Sequence, residues 1–348
     1  MEWWQAVILG LVEGITEYLP ISSTGHLILA SGLMGLDDPE IKDAVDAFNI
    51  VIQGGAILAV LGLYRTRVLR MVKGLLGWAG IGTGDPAAAK LAINILIAFF
   101  PAVVLGLMLN DWIEAKLFYA GPVLAALALG GVYMIVLDRW QMKRHREHPE
   151  DEVDGLDKLT PGKALIIGLM QCIAMWPGTS RSMMTITGGV LVGLKPKDAA
   201  EFSFLLGLPT LGGACVYSLY KNLSEAAQAG EPNLFDTLGW MPVIIGLVVA
   251  TISAVAAVKW LVGFLNKHGL AVFGWYRLIL TAALGGAIAA GIVSIEAAPQ
   301  ENTAAPAAVE AQIETQSESQ IEDAPPAGGS EPGASAPIAP PADVESEQ

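Results

Sequence analysis

Positive charge is scarce in this 348-residue chain: 20 Lys and Arg stand against 34 Asp and Glu, with four His. A nucleic-acid surface needs clustered basic residues and is thereby excluded. Charge of either sign is low, at 16%, and there are only two cysteines. Cys172 and Cys215 both fall in apolar runs and read as small core residues, not as a disulfide or a metal cluster. Aromatics make up 7% of the chain and vanish from Glu296 onward. That last stretch also carries eleven of the acids and none of the basic residues, so the first 295 residues account for only −3 of the formal charge of −14. Rich in Ala, Pro, Glu, Ser and Gln, residues 296–348 lack the apolar surface needed to fold and are expected to form a disordered acidic tail.

The rest is apolar. A hydrophobic content of 53% and a mean hydropathy of +0.52 are the composition of a polytopic membrane protein. The N-terminus lacks the basic segment of a signal peptide and two glutamates interrupt its apolar run, so it reads as part of the membrane domain. Crossing a bilayer takes roughly 20 apolar residues. Six stretches qualify: 46–64, 91–109, 122–137, 202–220, 241–261 and about 272–295. The segments between them read as loops, including 65–90 with its Arg cluster, the turn around Asp111, Glu114 and Lys116, and the charged stretch 139–163.

Ahead of the first span lies Glu13-Gly-Ile-Thr-Glu17-Tyr-Leu-Pro20-Ile-Ser22-Ser23-Thr24-Gly25-His26. Glu13 and Glu17 are four apart and share a helix face, where like charges repel. A bound cation or a shared proton is the usual resolution in a low dielectric. Pro20 stops the helix, and Ser22, Ser23 and Thr24 are good caps for a second one over about 25–36, whose start is an anion site. Ionisable groups between such apolar flanks are functional candidates by default.

The same theme returns at an offset of 158. Gly168 to Ser182 lies over Gly10 to Thr24, with Gln171 on Glu13, Met175 on Glu17, Ser180 on Ser22 and Arg181 on Ser23. Further on, Lys197-Asp198-Ala199 echoes Lys42-Asp43-Ala44. The chain therefore divides into repeat one (about 1–138), a loop (about 139–163) and repeat two (about 164–295). The expected fold is an all-α polytopic membrane protein of two inverted repeats, each a re-entrant helix hairpin plus three transmembrane helices, because three crossings invert the second half. Loops 65–90, 139–163, 193–200 and 259–269 hold fifteen basic residues, and the opposite loops hold three, Lys42, Lys116 and Lys221. This asymmetry sets the first group in the cytoplasm. Arg181 and Arg277 remain within apolar segments and need partners: an anionic one for each, with Arg277 either a third phosphate ligand or the mate of a buried acid.

Pro177-Gly178-Thr179-Ser180-Arg181-Ser182 adds a guanidinium fork and a Gly turn that admits an anion to backbone amides. Acids for a divalent ion, hydroxyls and Arg for phosphates, and His26 for proton transfer make a set suited to phosphoryl chemistry.

At these residues the sequence resembles the undecaprenyl-diphosphate phosphatase family, also known as bacitracin-resistance protein. The likeness rests on the Glu13/Glu17 stretch, Pro20 to His26 and Pro177 to Ser182, and covers about residues 1–295. It implies hydrolysis of undecaprenyl diphosphate to the monophosphate and inorganic phosphate, which recycles the lipid carrier of peptidoglycan and other envelope polymers. The expected location is a bacterial inner membrane with the site opening to the outer face, and by the crossing count the tail lies outside. Carried over, Glu13 and Glu17 bind a divalent cation, Mg²⁺ or Ca²⁺. Ser23 or His26 is the nucleophile or acid/base group, and Arg181 the charge clamp. Thr24, Ser180 and Ser182 would join Arg181 on the diphosphate; Ser22, Gly25, Gly178 and, as a third phosphate ligand, Arg277 are the other candidates for substrate binding. Met183 and Met184 depart from the small residue that usually follows the second motif. Undecaprenyl diphosphate and membrane lipid are the expected partners, with a homodimer as a further expectation. The competing class is a transporter or flippase for a polyprenyl phosphate lipid, which shares the architecture but has no need of a Glu pair beside a hydroxyl and an imidazole.

Overall fold

The computed structural model describes residues 1–38, 40–147, 155–293 and 295, without the side chains of residues 110, 111 and 114. The expected tail at 296–348 and residues 148–154 of the charged loop lie outside these. Among the described residues the secondary structure is helical, as a chain in hydrocarbon must be if its backbone groups are to pair within each segment.

The first hairpin is α1 (Trp3–Thr16) and α2 (Ser23–Leu33). It is followed by α3 (Lys42–Leu63), α4 (Arg65–Trp78), α5 (Pro86–Leu117) and α6 (Ala120–Glu147). After a short 3-10 turn, Leu156–Lys158, the second hairpin is α7 (Pro161–Ile173) and α8 (Arg181–Leu191). Then come α9 (Pro196–Ala229), the short α10 (Leu234–Leu238), α11 (Trp240–Leu265) and α12 (Ala271–Ala289). Six helices, α3, α5, α6, α9, α11 and α12, are long and apolar enough to cross a membrane. These are the six expected spans, several extended at their ends.

Three expected loops are helical instead. Residues 65–78 form α4, whose Met71 and Gly74 are buried while Leu69, Val72 and Leu76 are exposed. Four basic residues masked this amphipathic pattern in the sequence. The polar turn around residues 110–116 continues α5, and the start of the charged loop continues α6 to Glu147, since neither stretch contains a Gly or Pro to break the helix.

Each hairpin packs its first arm on a span from the other half: α1 lies on α11 and α7 on α5, while α3 meets α9 and α6 meets α12. Small residues permit the close approach that helix pairs in lipid depend on. A Cβ added at Gly10 would sit 2.7 Å from the Gly246 carbonyl oxygen, and one at Gly168 would run into the backbone of Ala98.

Candidate active site

The end of α1 and the start of α2 set the acids. Glu13, in the last turn but one of α1, is 0% exposed, and neither carboxylate oxygen has a hydrogen-bond partner. Glu17 extends the helix by one residue, its N–H donating to the Glu13 carbonyl at 2.9 Å. The chain then turns through Pro20 into α2, with Ser22 as the N-cap at φ 72° and its Oγ accepting from the Gly25 N–H at 3.4 Å. Positive φ is rare for a residue with a Cβ, and here it makes the turn sharp enough to bring α2 back beside α1.

The second hairpin repeats this geometry. Ser180, the position laid over Ser22, stands at φ 78° and caps α8 by accepting from the Met183 N–H at 3.3 Å. Gly178 holds φ +90°, and a Cβ there would lie 2.7 Å from the Val123 carbonyl oxygen. Gly178→Ala is therefore expected to lower the melting temperature of the detergent-solubilised protein, backbone strain alone costing about 1–2 kcal/mol. An unchanged melting curve would show that the turn reshapes freely.

The two turns touch. Arg181 Nη2 donates to Glu17 Oε1 at 3.0 Å, and Ser182 Oγ donates to the Leu19 carbonyl at 2.7 Å. The other carboxylate oxygen, Glu17 Oε2, accepts from Ser23 Oγ at 2.8 Å. Arg181 Nη1 reaches the Ser203 carbonyl on α9 at 2.9 Å, and the guanidinium lies over the Tyr18 ring, 5.5 Å from its centroid. Both side chains of the ion pair are nearly enclosed, at 11% exposure for Arg181 and 5% for Glu17. Glu13 lies within electrostatic reach of both. Two carboxylates thus share one guanidinium in a buried site, and a second positive charge or a proton has to balance the remainder. Among the described residues no cluster of three or more His, Cys, Asp or Glu side chains would hold a metal ion. A cation on Glu13 and Glu17 would need ligand oxygens from another molecule to fill its shell.

Thr24 and Gly25 form the first turn of α2. Ser180 and Ser182 hydroxyls are 3.0 Å apart. His26 does not bond to Ser23: its Nδ1 lies 2.7 Å from the Ser22 carbonyl and its Nε2 2.7 Å from Tyr276 Oη. Arg277 is 0% exposed and donates to the carbonyls of Ala126, Leu127 and Gly178 at 3.0, 3.3 and 2.9 Å, so backbone oxygens take the role expected of a buried acid. Gln171, laid over Glu13, is also buried and accepts from Thr210 Oγ1 at 3.4 Å.

Three participants were not singled out from the sequence. Tyr18, beside Glu17 in the first hairpin stretch, and Ser203, in an apolar run, support Arg181 without a pattern that marks either for that role. Tyr276 was visible only as the neighbour of Arg277.

Comparison with known proteins adds a second line of evidence. The model of the bacitracin resistance protein BacA family matches residues 6–283. The chain is 42% identical over 282 residues to an undecaprenyl-diphosphatase of Sorangium cellulosum, covering 81% of this chain and 85% of that one. It is 46% identical over 290 residues to undecaprenyl-diphosphatase 2 of Rhodospirillum rubrum, covering 83% and 96% of the two chains. To an undecaprenyl-diphosphatase of Pseudomonas putida it is 44% identical over 282 residues, covering 80% and 92%.

Proposed function

Because this chain belongs to the bacitracin resistance protein BacA family, we propose that the cluster of Glu17, Ser23 and Arg181 is where it removes the terminal phosphate of its substrate. It is a multi-pass membrane enzyme that dephosphorylates undecaprenyl diphosphate, giving undecaprenyl phosphate and inorganic phosphate. The observation that carries the assignment of the site is the Glu17 carboxylate, which accepts from Ser23 Oγ on one oxygen and from Arg181 on the other. A nucleophile hydrogen-bonded to its base, beside a guanidinium, is an arrangement suited to phosphoryl transfer.

In this reading the terminal phosphoryl group takes the place that Glu17 Oε1 holds against Arg181. Helices α2 and α8 begin at Ser23 and Arg181, the two residues whose side chains meet on the Glu17 carboxylate, and a helix start favours an anion. Ser23 Oγ attacks the phosphorus, its proton passes to Glu17 Oε2, and the anhydride P–O bond breaks to release undecaprenyl phosphate. Water then attacks the phosphoserine, taking over the His26 Nε2 lone pair from the Tyr276 hydroxyl and giving its proton to that nitrogen, while Glu17 returns the first proton to Ser23 Oγ as the Oγ–P bond breaks and inorganic phosphate leaves. Glu13, whose oxygens have no hydrogen-bond partner, and Glu17 would hold a divalent cation, Mg²⁺ or Ca²⁺. Such an ion would supply charge neutralisation for the phosphates.

The wider architecture belongs to the same proposal: two inverted repeats, about 1–138 and 164–295, each led by a re-entrant hairpin. Arms of 14, 11, 13 and 11 residues support it, being shorter than the roughly 20 a crossing needs. So does the packing, because exchanging the halves turns the α1 and α11 contact into that of α7 and α5 and leaves the α3–α9 and α6–α12 contacts unchanged. The fifteen-to-three split of basic residues supports a bacterial inner membrane orientation with the site open to the outer face and residues 296–348 outside.

The test is phosphate release from a long-chain isoprenyl diphosphate by the solubilised protein. EDTA is expected to abolish release, and excess Mg²⁺ or Ca²⁺ to restore it; full activity in EDTA would remove the cation from the mechanism. Ser23→Ala is expected to lose both turnover and a trappable phosphoserine, whereas full turnover by that variant would point to direct attack by water.

A further inference from the structure

We propose that Tyr276 is a positioning residue for His26, and that Tyr276 and Arg277 together form a clasp on α12 holding the two hairpin turns in register. The inference rests on the phosphatase reading of the site and adds to it a residue from the last span.

The histidine ring is held at both nitrogens. His26 Nδ1 lies 2.7 Å from the Ser22 carbonyl, and a carbonyl oxygen only accepts, so Nδ1 carries the proton. In the neutral imidazole Nε2 is then the acceptor, and Tyr276 Oη, 2.7 Å away, donates to it. Two groups therefore select one tautomer in the resting enzyme and keep the Nε2 lone pair on the side of the ring away from the backbone, held by the Tyr276 hydroxyl until the attacking water takes its place. One group is local, four residues back on the same turn. The other is 250 residues later in the chain. The rings also stack, with centroids 5.6 Å apart and planes 7° from parallel, so Tyr276 restrains the tilt of the imidazole as well as its proton. Without Tyr276 the Ser22 contact alone holds the tautomer.

The next residue holds the other turn. Arg277 is fully buried, and its fork donates to the Gly178 carbonyl of the second hairpin and to the Ala126 and Leu127 carbonyls of α6. Burying a guanidinium among neutral carbonyls is unfavourable compared with an apolar side chain unless several hydrogen bonds offset it. Gly130 makes room for it, since a Cβ at that position would run into the guanidinium. Gly178 lies three residues before the Arg181 clamp, in the turn whose φ values are already unusual. Adjacent residues on a helix point about 100° apart. One of this pair therefore faces α2 and the other faces α6 and the second hairpin, in keeping with α12 packing on both α2 and α6. Any shift of α12 carries both contacts with it, so His26 Nε2 and the turn bearing Arg181 move together.

Tyr276→Phe keeps the stacked ring and deletes the hydroxyl alone. It is expected to lower kcat for phosphate release roughly 10-fold, below the usual 10²–10⁴-fold worth of an acid–base group because His26 itself stays, with KM within about twofold. In a His26→Ala background the same change is expected to have no further effect, since the two residues act as one unit. Full kcat in Tyr276→Phe, or an equal fall in both backgrounds, overturns the proposal. A second measurement needs no substrate. In ¹⁵N-histidine spectra of the solubilised protein, with the His26 signals identified by their absence from His26→Ala, the wild type should show a protonated Nδ1 and a bare Nε2, and Tyr276→Phe a mixture of tautomers. An unchanged tautomer in Tyr276→Phe overturns the clasp whatever the kinetics. Failure of the wild type to release phosphate would instead remove the phosphatase reading and leave the spectra to decide the clasp alone.

Discussion

Arg181→Lys is expected to slow phosphate release by roughly 10²–10³-fold, the range for losing one preorganised donor from a site of developing charge. The guanidinium spans two acceptors on different elements, Glu17 Oε1 on the first hairpin and the Ser203 carbonyl on α9. A lysine ammonium is a single point charge on a flexible stem and cannot make both contacts in one plane. Arg181→Ala goes further, because it leaves the carboxylates of Glu13 and Glu17 buried without their countercharge, a change that typically costs about 3–5 kcal/mol. The two variants should therefore separate: lysine loses rate while keeping most of the melting temperature, and alanine loses both. A lysine variant within threefold of the wild-type rate would mean that Arg181 ties the hairpins together without acting on the phosphate.

Glu17→Gln is expected to lower turnover by about 10³-fold or more, within the span of losing a general base together with a charged ligand. The amide retains the size of the carboxylate and still accepts from Arg181. It no longer takes the proton of Ser23 and no longer binds a cation with full charge. Glu13→Gln offers the contrast. Both of its oxygens are buried with no hydrogen-bond partner, so neutralising the side chain removes a desolvated charge and breaks no protein contact. Its melting temperature without added metal should equal or exceed that of the wild type, while the Mg²⁺ concentration for half-maximal rate rises. Glu17→Gln with wild-type turnover, or Glu13→Gln with unaltered metal dependence, would take the respective glutamate out of the chemistry.

Much of the site was readable from residue order. Pro20 and Pro177 announce two broken hairpins, and the spacing of Glu13 and Glu17 on one apolar helix marks a place where charge has to be balanced. The partnerships were not readable. Ser23 and His26 are a helical turn apart and invite pairing, yet the ring turns back to the Ser22 carbonyl and the hydroxyl reaches Glu17 across the turn. That outcome depends on φ 72° at Ser22, a conformation that no residue preference for serine would lead one to expect. Helix α4 was hidden for a simpler reason. Its exposed Leu69, Val72 and Leu76 alternate with four basic residues, so a pattern test tuned to continuous apolar runs passes over it.

By itself the sequence determined the membrane class, the six long apolar helices and the chemical kinds of group available, because length and hydropathy decide what can cross a bilayer and side-chain chemistry does not depend on fold. Only the tertiary structure decided which groups meet: Glu17 with Arg181 from 164 residues away, and His26 with Tyr276 from 250. The reason is geometric, since close helix packing at small residues and two sharp turns set angstrom-scale contacts that neither periodicity nor composition encodes.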